Sequence, residues 1–175
     1  VPDAALTAIE VEALLGLGRT ADAGARLPQK GAPYTEFYDA AAAGQWLKAS
    51  GRADEAVEAF AAASKLAAAK DTPGVTAGAL SMAAGVRLDG GEPAAARPFL
   101  DAAAASDADN RELRIHEAEY LEATGKTDAA IDVYRDLLAE ADDPELHRRL
   151  FVLLSRAGET KKAQAHFAAA EKTLL

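Results

Sequence analysis

Five times along the chain a glycine is followed five residues later by an alanine and, four residues after that, by a large apolar residue. The instances are Gly18-Ala23-Leu27, Gly51-Ala56-Phe60, Gly90-Ala95-Phe99, Gly125-Ala130-Tyr134 and Gly158-Ala163-Phe167. The glycines stand 33, 39, 35 and 33 residues apart. Repetition at this period means one supersecondary unit used again and again, each copy too small to bury its apolar face alone and each covered by its neighbours. The expectation is therefore an all-α array of about ten helices, paired in helix-turn-helix hairpins, which folds as one body over residues 1–175.

Composition agrees with closely packed helices. Of 175 residues 46 are alanine and only ten are aromatic, so helices must approach closely around little bulk. Alanine is also the best intrinsic helix former, because it loses no side-chain entropy. The absence of cysteine removes disulfides, thiolate catalysis and cysteine-ligated metal sites. No run reaches the roughly 18 uninterrupted apolar residues of a membrane span. The sequence begins with valine, not methionine, and so reads as a processed product or an excised piece.

The net charge of −9 is unevenly spread. From Asp107 to Glu145 there are 13 acids and 4 bases, and from Leu146 to Leu175 there are 2 acids and 6 bases. An acidic surface repels phosphate backbones, and the basic end lacks interleaved aromatics, so nucleic acid is not an expected partner.

Residues 40–63 carry the unit most clearly. Ala40, Ala43, Gly44 and Leu47 form one stripe of a first helix, Gly51 supplies a left-handed helix end, and Ala56, Phe60 and Ala63 form the inward stripe of a second helix. Ala56 is small where the helices cross closest, and Phe60 is the knob that fills the space left by small partners. These residues resemble the tetratricopeptide repeat, a 34-residue unit with a small residue at position 8, glycine near 15, alanine at 20, an aromatic at 24 and alanine at 27. Counting from Phe37 places Gly44, Gly51, Ala56, Phe60 and Ala63 at those positions. Further repeats counted from Ala4, Thr76, Arg111 and Pro144 give approximate boundaries of 4–36, 37–75, 76–110, 111–143 and 144–175.

Several departures carry structural expectations. Leu27 replaces the first aromatic, and Pro28 behind it should cut or kink that helix. Pro93 suits a first turn, whereas Pro98 falls inside a helix and should bend it. The extra residues before Gly90 should lengthen the helix ending near Lys70 and the loop Asp71-Thr72-Pro73-Gly74. No polar capping helix follows the fifth unit, so the apolar end reads as part of a longer array or as a surface for end-to-end packing.

No motif for chemistry survives inspection. Gly16-Leu17-Gly18-Arg19-Thr20-Ala21 formally fits a dinucleotide fingerprint, but that mechanism needs a strand, a phosphate turn and a helix, and here the glycine occupies the repeat turn. His116, His147 and His166 are spaced too widely to grip a metal from one helix, and His116 reads as a surface histidine one turn from Glu112 and Tyr120. Trp46 reads as filler between repeats. The expectation is no catalytic residue, no metal and no cofactor.

The resemblance implies a right-handed superhelix whose first helices line a concave groove, with positions 2, 5, 9, 12 and 13 reaching into it. On this chain they include Tyr38, Gln45 and Lys48, Arg87, then Glu112, Ile115, Glu119 and Glu122, then Glu145, Arg148, Val152, Ser155 and Arg156. The charge alternates from basic to acidic to basic, which favours a charged, extended peptide or partner helix over a small neutral molecule. The lysine and asparagine pair with which some family members hold chaperone carboxylates is missing from every repeat. The alanine-rich, cysteine-free style resembles bacterial repeat scaffolds, with a lean towards the cell envelope. The expected function is protein–protein interaction, and the alternative is a spacer that carries no ligand site.

Overall fold

The computed structural model describes residues 3–27 and 33–172. Among them are ten helices and no strands: α1 (Ala4–Gly16), α2 (Thr20–Arg26), α3 (Phe37–Ala49), α4 (Ala53–Ala68), α5 (Pro73–Asp89), α6 (Pro93–Ser106), α7 (Arg111–Ala123), α8 (Thr127–Glu140), α9 (Pro144–Arg156) and α10 (Thr160–Lys172). They divide into two compact units, residues 1–116 and residues 117–175. Within the first, α1 packs on α2 and α3, α3 on α4, α4 on α5 and α5 on α6; within the second, α9 packs on α8 and α10.

One turn joins the two helices of every hairpin. At the end of α3 the Gly51 N–H donates to the Lys48 carbonyl at 3.0 Å and the Arg52 N–H to the Leu47 carbonyl at 2.9 Å. Gly51 has φ +73°, a conformation that costs a residue without a Cβ nothing. This paired bond satisfies carbonyls that the helix end would otherwise leave open.

The third hairpin corrects the register read from sequence. The left-handed residue there is Gly91, φ +73°, while Gly90 keeps φ −76° as the helix cap. The repeat therefore reads Gly91-Ala96-Leu100-Ala103, and Ala96, Leu100 and Ala103 are fully buried, whereas Ala95 and Ala102 are exposed and Phe99 is only half-buried. Two adjacent glycines satisfy the spacing rule equally well, and the aromatic at 99 favoured the wrong one. Packing selected the register that buries Leu100.

The insertion before it lengthens α4 as expected, to 16 residues against 14 in α6 and α8, but not the loop. Pro73 and Gly74 are not loop; α5 begins at Pro73, which occupies its first turn, and runs 17 residues against 13 for α3. The connection from α4 reuses the hairpin turn without glycine: Asp71 adopts φ +53°, its N–H donates to the Ala68 carbonyl at 3.1 Å, and Thr72 N–H donates to the Ala67 carbonyl at 3.3 Å. Short acidic and amide side chains are among the few that tolerate this conformation.

As expected, α2 stops at Arg26, and Leu27 ahead of Pro28 is extended, the conformation that a following proline enforces; Pro28 itself lies outside the described residues. Pro93 sits in the first turn of α6, and that helix continues through Pro98 to Ser106. The segment Ile9–Leu15 is helical, so the strand that a dinucleotide fingerprint needs is not there.

The core of residues 1–116 is built by rings set into glycine notches. A Cβ on Gly44 would lie 2.7 Å from the Phe60 ring, and one on Gly24 would lie 2.7 Å from Trp46. Trp46 packs against two clusters, one around Val11 and Ala23 and one around Leu47 and Phe60, and its indole N–H donates to the Thr20 carbonyl at 2.9 Å, so it fills the space between hairpins. His116 follows the same logic, pressing its ring where a Gly85 side chain would stand. It is buried, which corrects the reading of a surface histidine. Phe167 is the opposite correction: it is 48% exposed, with its ring tilted against Phe151 at 5.4 Å between centroids, not buried as its position implied.

Candidate functional site

Along α3, α5 and the start of α7 lies an apolar cavity of about 280 Å³. Its walls are Phe37 and Ala41 of α3, Phe60 of α4, Val75, Gly78, Ala79 and Met82 of α5, and Glu112 of α7. Glu112 is the one charged group among these walls, with a half-exposed side chain 4.0 Å from the His116 imidazole Nε2. Burial pushes its carboxyl above the ordinary carboxylate range, against the opposing pull of Lys48 and Arg111.

Gly78 lines the cavity without filling it. Among the described glycines inside helices, Gly24, Gly44 and Gly85 are each required by a ring that occupies the place of a side chain. At Gly78 a Cβ would meet nothing within 4 Å. An interior helical glycine costs about 1 kcal/mol relative to alanine, so here the cost goes to empty space and not to packing.

Of the residues expected in a groove, Glu112 lines the cavity, and Tyr38 and Gln45 touch its walls. Tyr38 is 50% exposed and stands edge-on to Phe37 at 5.3 Å. Gln45 is half-buried and its amide donates to the Met82 sulfur at 3.6 Å. Lys48 pairs with Asp89 at 2.9 Å. Ile115 is half-buried. Arg87 belongs elsewhere: it is bound by Asp54 at 2.8 Å and Glu92 at 3.1 Å, which raise its pKa, Asp54 foremost. With Gly91 as the turn, position 12 is occupied by Leu88 and Arg87 falls out of the row.

In the second unit the expected groove residues bind one another. Arg149 donates to Glu119 at 2.5 Å and to Glu122 at 3.4 Å, and Glu122 also accepts the Tyr134 hydroxyl at 2.5 Å. Burial, reinforced by the bond to Glu122, drives the Tyr134 phenol far above its usual pKa. Glu145 receives Arg148 through two bonds, at 2.7 and 2.5 Å, which hold its carboxyl below the usual range. Val152 is half-buried, and Ser155 and Arg156 are exposed. Arg149, the centre of this network, was absent from the expected set because position 6 of the repeat is not a groove position; its signal was two carboxylates three residues apart, Glu119 and Glu122, on one face of a helix.

His147 and His166 face each other with Nδ1 atoms 2.8 Å apart, and the other nitrogen of His147 meets Asp142 at 2.8 Å. Separate helices thus bring together histidines that are distant in sequence. Burial and the neighbouring His147 hold His166 below the ordinary imidazole pKa. Among the described residues no three or more His, Cys, Asp or Glu side chains gather as a metal site would require, and no described helix is long and apolar enough to cross a membrane.

A sequence profile of the tetratricopeptide repeat matches residues 87–150. No curated protein matches the chain in sequence. Among solved structures, MamA (41-end) from Desulfovibrio magneticus RS-1 aligns with a TM-score of 0.60 at 18% identity, over 98% of this chain and 95% of that one. MamA of AMB-1 aligns with a TM-score of 0.57 at 20% identity, over 95% and 96%. TPR-like repeats of a protein described as a Podosopora anserina kinesin light chain align with a TM-score of 0.60 at 13% identity, over 98% and 96%. At these identities the likeness is one of fold.

Proposed function

We propose that the chain is a non-catalytic scaffold of the tetratricopeptide-repeat kind, whose profile matches residues 87–150, and that it binds an extended segment of a partner protein along the first-helix face of residues 37–116. The observation that carries this reading is the cavity between α3 and α5, an apolar hollow that the fold leaves unfilled beside a half-buried carboxylate. Concave, mostly apolar sites with few polar groups are where binding energy concentrates. Tyr38 stands against Phe37 and Gln45 against Met82, two walls of the hollow, and supply an amphipathic ring and an amide for contact with a peptide, with the Lys48–Asp89 pair on the same helix face. Glu112 and Ile115 extend the same face.

For residues 117–175 a different role is favoured. Glu119, Glu122, Glu145, Arg148 and Arg149 already spend their charges on one another. Breaking such pairs to admit a ligand would leave charges uncompensated, so this unit acts as the spacer of the alternative reading.

The test is selection of a displayed random-peptide library on the immobilised chain, followed by anisotropy titration of the enriched peptides. Enriched peptides should bind, and the double variant Tyr38→Ala/Lys48→Glu should weaken them while Glu58→Gln, on the exposed side of α4, leaves them unchanged. A library that yields no binder overturns the scaffold reading.

A further inference from the structure

Resting on that reading, we propose that the α3–α5 cavity is an anchor pocket for one bulky apolar side chain of the partner segment, and that Glu112 selects a lysine or arginine next to that residue.

Size sets the first half of the specificity. At about 280 Å³ the hollow lies at the lower limit of small-molecule sites, which run from about 300 to 1,000 Å³, so it seats one large side chain and not a cofactor. Its walls are an aromatic edge from Phe37, the Phe60 ring, Val75 and the adaptable thioether of Met82. Unbranched and polarizable, methionine re-forms around whichever apolar group enters, so the pocket takes leucine, methionine or phenylalanine in preference to any polar residue. A single buried anchor of this kind carries most of the energy of a peptide interface.

Charge sets the second half. Glu112 lines the same hollow, and the cations about it offset its burial only in part: Lys48 and Arg111 pull on it, Lys48 while paired to Asp89 at 2.9 Å, and the His116 nitrogen stands at 4.0 Å. The carboxylate thus bears a desolvation cost that its neighbours offset only in part, and its raised pKa reports the same imbalance. A ligand cation placed there would offset that cost, whereas a ligand carboxylate would add to it, and this penalty rejects acidic segments. The excess of 28 acids over 19 bases in the whole chain favours the same class of partner.

Gly78 makes the idea separable from general peptide binding. A leucine at this position extends into the hollow from a backbone that meets no steric bar, and it improves the helix. The experiment uses the full chain and peptides chosen by display. Enriched sequences should pair a bulky apolar residue with an adjacent lysine or arginine. Gly78→Leu should weaken them by about tenfold or more while the thermal midpoint stays equal or rises. Val75→Glu, which sets a charge at an exposed edge of the same hollow, should do the same if Gly78→Leu misfolds. Glu112→Gln should erase the preference for the basic residue, measured as the affinity ratio between each peptide and its lysine-to-glutamine version. Peptides that bind the native chain and both pocket variants equally overturn the pocket while the scaffold stands. Peptides that enrich without the motif overturn the specificity. A chain that enriches no peptide overturns the scaffold itself.

Discussion

Gly44→Ala and Gly78→Ala are the same substitution inside two neighbouring first helices, and the structure requires opposite outcomes. Replacing an interior helical glycine by alanine gains about 1 kcal/mol from backbone entropy at either site. At Gly78 the new methyl meets nothing within 4 Å, so the gain is kept and stability rises by about 1 kcal/mol. At Gly44 the methyl would stand 2.7 Å from Cε1 of Phe60 and 2.8 Å from Cδ1 and Cζ. Phe60 is almost wholly buried among Leu47, Ala56, Ala83 and Val86 and has no free direction in which to withdraw. Overpacking of this kind costs about 1–3 kcal/mol, so the net effect is a loss of about 1 kcal/mol and the two variants differ by about 2. Urea unfolding followed by circular dichroism measures both on one scale. The mechanism is tested further by repeating Gly44→Ala in a Phe60→Leu background, where most of the ring has gone and the penalty should shrink by about 1–2 kcal/mol as a coupling energy. Equal shifts at the two glycines, or a Gly44 penalty indifferent to Phe60, would refute the notch.

Three shorter predictions follow the same lines. Phe60→Ala should cost about 3–5 kcal/mol and Phe167→Ala less than about 1, because one ring is buried and the other is 48% exposed; urea midpoints of the two variants decide it. Tyr134→Phe removes a buried hydroxyl donor to the Glu122 carboxylate and should cost about 1.5–3 kcal/mol, with most of the loss absent in a Glu122→Gln background. Glu112 binds its proton more tightly in the folded chain than in the unfolded one, so its contribution is full below the unfolded value near pH 4.3 and is lost as pH rises through the folded value. Glu112→Gln should therefore raise the thermal midpoint near about pH 7 and leave it unchanged near about pH 4; the same shift at both would refute the assignment.

The helices were largely legible because their signals are local. Gly51, Ala56 and Phe60 each report on a helix end, a close crossing or a knob, and each works within a few residues of itself. Legibility failed where two local choices were equivalent. Gly90 and Gly91 can both end α5, and only the burial of Leu100, a tertiary fact, separates them. Asp71 failed for a related reason: aspartate adopts the left-handed turn rarely enough that a glycine rule passes over it, yet its paired backbone bonds reproduce the hairpin turn. His116 was misplaced because a histidine one turn from a glutamate looks solvated until Gly85 is brought opposite it from another helix.

The site was harder to read than the fold because its decisive feature is an absence. Groove positions carried over from a repeat pattern identify side chains that are present, and in residues 117–175 those side chains turn out to neutralise one another around Arg149. Charge counting cannot distinguish a carboxylate that waits for a ligand from one already answered, since both are a glutamate on an acidic helix. Glu112 and Glu119 differ in their surroundings alone: one faces an apolar hollow, the other an arginine at 2.5 Å. Gly78 is equally silent in sequence, one of 13 glycines, and acquires meaning only when the space beside it is found empty while the space beside Gly44 is full. Gly16 faces open space as well, so it is the place of Gly78 in the wall of an apolar hollow, beside the Glu112 carboxylate, that gives its missing side chain a bearing on what the chain binds.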